Sequence, residues 1–160
     1  MIATKTGGWL GYVTRVVLLA AFYVLVGRIG FMVSAVDPIV SSVWPPSGLA
    51  LAALLLMGIR FWPGVFLGAF ILNATGTIAP LPALAIAVGN TGEALLATWL
   101  LTSIGFRPLL ERLRDVLALV ILGAISTAVS ATVGVTVLAF VRDRFALPGW
   151  AIWTLSLIHI

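Results

Sequence analysis

Cysteine is absent from the 160 residues, there is one histidine, and charged side chains make up only 9% of the chain, against about 25% in ordinary globular proteins. Without cysteine there are no disulfides, no thiol catalysis and no cysteine metal sites, and the redox compartment is not encoded. One histidine and five carboxylates supply no Ser-His-Asp set and no metal-ligand cluster, and no G-x-x-x-x-G-K loop is present to cradle phosphate. His159 stands alone and is given no role. No enzymatic activity, cofactor or metal is expected of this chain. The nine Lys and Arg form no basic stripe, so nucleic acid is not an expected partner.

What is abundant is apolar: 62% of residues are hydrophobic and the mean hydropathy is +1.22. At roughly 20 apolar residues per spanning helix, the length admits five or six spans and no soluble output domain. The expected fold is all-α, a polytopic transmembrane bundle of about five full spans and the start of a sixth, forming one domain over residues 1–160.

The runs cover about 13–36, 39–59, 61–72, 81–104 and 116–141. Asp37-Pro38 breaks the first, which reads as a retained helix and not as a cleaved signal. Pro45 and Pro46 open the second, in a first turn where their missing N–H groups are unbonded anyway. The third run is short, either tilted or not fully spanning, and ends at NATGTIAPLP. Gly105 with Pro108 stops the fourth. A sixth run begins at Trp150 and has too few residues to cross a bilayer core of about 30 Å.

Basic residues sort by loop. With the N-terminus in the cytoplasm, Lys5, Arg15, Arg60, Arg107, Arg112 and Arg114 fall inside, whereas Asp37 and the uncharged 73–80 loop fall outside. Arg142 and Arg144, flanking Asp143, dissent. In this arrangement Trp44 marks the outer interface, and Arg60 with Trp62 the inner one. The lipid bilayer is the first expected partner.

Glu93 sits near the middle of the fourth run, in VGNTGEALLATWL. A carboxylate at that depth costs a few kcal/mol unless protonated or paired, and is a functional-site candidate by default. Asn90 lies one turn earlier, and Gly89 and Gly92 flank the pair, allowing close helix approach. The group is either a structural hydrogen-bond node or a sensing group for a ligand or proton. Arg28, beyond the centre of the first run, is the candidate partner of Glu93; the alternative is that it snorkels to headgroups. Asn73 begins an Asn-Ala-Thr acceptor pattern, discounted as common by chance, and remains a candidate sensing residue. Small residues on the fifth run (Gly123, Thr127, Ala131; Ser126, Ser130, Gly134) and the pair Gly64 and Gly68 read as helix-packing faces. A ligand groove lined by Ser126, Thr127 and Ser130 is the minority reading.

Four blocks recur in order: Trp-Pro-Pro-x-Gly (Trp44, Pro45, Pro46, Gly48), Trp-Pro-Gly-x-Phe-x-Gly (Trp62, Pro63, Gly64, Gly68), Gly-Asn-Thr-x-Glu-Ala (Gly89, Asn90, Glu93) and Arg-Asp-Val (Arg114, Asp115). As an ordered set, over about Val43 to Val135, they resemble the MASE1 membrane-associated sensor domain of bacterial signalling proteins. The family-like region is taken as about 13–153. The resemblance implies a multi-pass input module of the bacterial cytoplasmic membrane, preceding a histidine kinase or a diguanylate cyclase or phosphodiesterase domain. It would respond to a small-molecule signal or membrane protein partner, and a homodimer is expected of the full-length protein. Residues 154–160, TLSLIHI, do not continue the family pattern and read as a truncated or non-native tail. Outside the resemblance, a small transporter or channel subunit using Glu93 and Arg28 is the alternative, or a structural membrane anchor.

Overall fold

The computed structural model describes residues 8–32, 44–76 and 78–142. Helices α1 (Trp9–Met32), α2 (Pro45–Met57), α3 (Trp62–Ala74), α4 (Pro80–Ser103) and α5 (Leu113–Arg142) follow one another, with a single 3-10 turn at Ile59–Phe61 and no strand among the described residues. All-helical architecture is what an apolar solvent demands, because every backbone N–H and C=O must find its partner within the segment. The Asp37-Pro38 break, the 142–144 loop beyond Arg142, the sixth run and the 154–160 tail with His159 lie outside the described residues.

Among the described residues, three helices, α1, α4 and α5 over Leu113–Val137, are long and apolar enough to cross a membrane. The helical stretches α2 and α3 have 13 residues each, about 20 Å at 1.5 Å per residue. Helix length among the described residues thus supports three full spans and does not establish the expected five.

Local chemistry sets the boundaries. Proline occupies the first turn of α2, α3 and α4, where an N–H is not needed. Gly58 ends α2 with φ 101° while its N–H bonds the carbonyl of Leu54 at 3.0 Å. At the end of α4, Gly105 takes φ 69°. The Gly105 N–H bonds the carbonyl of Thr102 and the Phe106 N–H that of Leu101, both at 3.1 Å, which is the Schellman pattern with glycine at the left-handed position. Phe106 and Leu101 share one apolar cluster, the side-chain contact that accompanies this cap.

Packing relies on close approach, since lipid tails offer helices no hydrophobic drive to associate. A Cβ on Gly64 would lie 2.9 Å from the Val16 carbonyl oxygen, and one on Gly68 would lie 2.7 Å from the Cβ of Tyr23. Gly27 meets Leu72 further along. Residue numbers rise together, so α1 and α3 run parallel. Gly89 against Val133 and Gly92 against Val129 make α4 and α5 antiparallel. The chain thus alternates direction, with α4 the most buried of the three long helices. Tyr12 donates a 2.9 Å hydrogen bond to the Arg60 carbonyl, tying the start of α1 to the turn after α2. Arg15, Arg60, Arg107, Arg112 and Arg114 consequently lie toward one end of the bundle, and Arg28 toward the other.

Candidate functional site: a polar cluster shared by four helices

Glu93 is 4% exposed in the interior of α4. Asn90, three residues earlier, shares its helix face and is equally buried. Ser130 of α5 donates a 2.6 Å hydrogen bond to Asn90 Oδ1, and Asn90 Nδ2 donates to the Tyr23 hydroxyl of α1 at 3.4 Å. The Trp44 indole, which can only donate, also reaches the Tyr23 hydroxyl. The Ser47 hydroxyl of α2 faces the Glu93 carboxyl, and the Ser130 oxygen lies beside it with its proton given to Asn90; Glu93 Oε2 has no hydrogen-bond partner. Side chains from α1, α2, α4 and α5 thus converge on one buried polar node, surrounded by the apolar cluster that includes Tyr23, Trp44, Leu54, Leu72 and Ala94. A half-satisfied buried carboxyl of this kind is costly, several kcal/mol for a charge taken out of water.

Arg28 is not the partner of Glu93. Its guanidinium is exposed and donates to Thr75 Oγ1 at 2.7 Å, with the Thr75 carbonyl at 3.5 Å. It sits one turn from the end of α1, beside the carbonyl end of α3, where a cation interacts favourably with the helix terminus. Asn73 is likewise separate from the cluster. It lies in the last turn of α3, buried, its amide returned to the Ala69 carbonyl at 2.8 Å. That burial leaves no access for a glycan.

Trp44 departs from its expected place at an interface. It is 8% exposed and packs on Phe31, ring centroids 4.9 Å apart, because the last turns of α1 cover the start of α2. Trp62, at 44% exposure, keeps an interfacial character. Of the remaining motif residues, Pro45 and Pro46 form the first turn of α2 and Pro63 that of α3. Gly64, Gly68 and Gly89 are contact points, and Gly48 lines a groove described below. Ser126 and Thr127 return their hydroxyls to Leu122 and Ala124 of their own helix, so of the three α5 hydroxyls only Ser130 crosses to a neighbour.

Arg114 and Asp115 open α5. Asp115 is fully buried, both carboxylate oxygens lack hydrogen-bond partners, and the nearest cation is Arg114 Nε at 3.9 Å, on a side chain 60% exposed. The helix N-terminus itself favours a negative charge there. Two members of the central cluster, Tyr23 and Ser47, were not singled out in the sequence. The available signal was that each is an isolated hydroxyl within an apolar run, Ser47 being the lone polar side chain of PPSGLALAALLLM.

No curated protein and no solved structure matches the chain. The MASE1 family model matches residues 15–159, which brings the first helix and the stretch beyond Val135 into the likeness carried by the four blocks. The motif positions and the buried node therefore sit inside one continuous match, and the chain belongs to the MASE1 family, a non-catalytic, membrane-associated sensor domain of signalling proteins.

Proposed function

We propose that the chain is the membrane-embedded input module of a bacterial histidine kinase or of a diguanylate cyclase or phosphodiesterase, and that the Glu93 node is where its signal acts. The observation that carries this reading is a buried carboxyl oxygen without a partner at the meeting point of four helices. A purely structural node would be expected to satisfy its hydrogen bonds, whereas a ligand or membrane partner that completes this one favours one helix arrangement over another. Such a signal shifts the equilibrium only by its differential affinity for the two arrangements. Ser130 ties the node to α5, and a rearrangement there would reach an output domain through the last span. The accompanying topology places all five helices within the cytoplasmic membrane, N-terminus inside, as the arginine-rich end favours; the full-length protein acts as a homodimer. A transporter reading gains no support from the pairing it needs, since Arg28 bonds Thr75 and Glu93 lies in the central node.

The native absence of cysteine permits a direct test. Spin labels at Trp99→Cys and Val120→Cys, both exposed sites on α4 and α5, report the interhelical distance in nanodiscs. A sensor node predicts two distances whose populations change with Glu93→Gln. One unchanged distance would identify a rigid anchor instead.

A further inference from the structure

Helices α2 and α5 do not close against each other. Between them lies an apolar groove of about 360 Å³, walled by Leu51 and Leu55 of α2, Leu119 of α5, and Phe106, Pro108 and Leu110 of the α4–α5 connection. Its rim is open, with Leu56 72% and Val120 58% exposed. In a bilayer such a groove is filled by hydrocarbon, because an empty one forfeits dispersion contacts on every wall. Apolar along its walls and open along its rim, the groove admits a flexible hydrocarbon chain.

The connection that forms one end of the groove carries two arginines next to its lining residues in sequence. Arg107 stands between Phe106 and Pro108, both in the wall, and Arg112 follows two residues after Leu110. Both arginines are exposed, and neither side chain has a hydrogen bond or ion pair among the described residues. Arg60, past the end of α2, lies over the Phe61 ring, and Arg114 is beside Asp115. Glu111 is the one exposed carboxylate of this segment. We infer that the groove holds one acyl chain of an anionic phospholipid whose phosphate is bound by Arg107 and Arg112. Basic pockets between membrane helices recognise lipid headgroups in this manner. The inference stands apart from the Glu93 node and needs only that the chain reside in a bilayer.

Native mass spectrometry of the purified 160-residue chain, titrated with palmitoyl-oleoyl phosphatidylglycerol or the matching phosphatidylcholine, tests it. Wild type is expected to retain one phosphatidylglycerol in preference to phosphatidylcholine, by about fivefold per arginine. Gly123→Phe projects into the groove from a position with no atom within 4 Å of an added Cβ, and should abolish the retained lipid while helicity by circular dichroism is unchanged. Arg107→Gln with Arg112→Gln alters exposed residues only, and should leave a lipid bound without the headgroup preference. This double variant keeps the test intact if Gly123→Phe does not fold. Equal retention of the two lipids by wild type, or a preference that survives the arginine substitutions, would overturn the assignment. So would a dimer lost on Gly123→Phe, which would make a second copy the occupant.

Discussion

Ser130 and Asn90, forty residues apart in sequence, are joined by a 2.6 Å hydrogen bond that locks α5 to α4 at the level of the buried Glu93 carboxyl. The same Asn90 reaches Tyr23 on α1, so one amide side chain fixes the relative rotation of three helices.

The contribution of that bond is measurable by a double-mutant cycle. Asn90→Ala and Ser130→Ala are each expected to destabilise the detergent-solubilised chain by about 1–2 kcal/mol. Together they should cost less than the sum, because each alone already breaks the shared interaction. Thermal denaturation gives all three values; strict additivity would mean the bond contributes nothing.

Arg28 and Glu93 should behave in the opposite way. With Arg28 on Thr75 and Glu93 on the central node, the losses from Arg28→Gln and Glu93→Gln are expected to add within about 0.5 kcal/mol. A coupling well above that would indicate that the two charges meet.

Glycine positions separate sharply by what an added methyl would strike. Gly68→Ala places a carbon against Tyr23 and the Ala20 carbonyl, at 2.7 and 3.0 Å, and is expected to cost about 1–3 kcal/mol as the α1–α3 seam is forced apart. Gly123→Ala meets nothing within 4 Å and should be neutral or slightly stabilising, since alanine is the better helix former by up to about 1 kcal/mol. Equal effects at the two sites would contradict the parallel packing of α1 on α3.

Asp115 offers a test of stability set against function. A buried carboxylate with two unpartnered oxygens and only a distant, exposed arginine weakens the fold by its desolvation. Asp115→Ala is therefore expected to raise the thermal midpoint of the chain. A fall of more than about 1 kcal/mol would show that the carboxylate gains more from the α5 N-terminus than its burial costs.

Much of this arrangement is written locally and can be read there. Pro80 and Gly105 bracket α4 because each suits only one helix terminus, and Glu93 and Asn90 stand out because nothing else in the fourth run resembles them. What the one-dimensional reading misplaced were partners and orientation. The sequence leaves Arg28 between Glu93 and the headgroups; its reach is set instead by the end of α3, where Thr75 and a terminal carbonyl compete successfully. Trp44 has the composition of an interfacial anchor, yet its ring packs on Phe31 of α1. Tyr23 and Ser47 join the node through rotations of α1 and α2 that no local pattern records, because both helices are apolar all round and show no stripe by which to orient them.

The two 13-residue helices, α2 and α3, leave the protein with uneven height. At about 20 Å each over the described residues, they are shorter than the roughly 30 Å hydrocarbon slab that α1, α4 and α5 exceed. Where such short helices meet lipid, a bilayer thins at a cost of a fraction of a kcal/mol per Å. Lipid tail length thereby becomes a force on the very helix that carries Ser47.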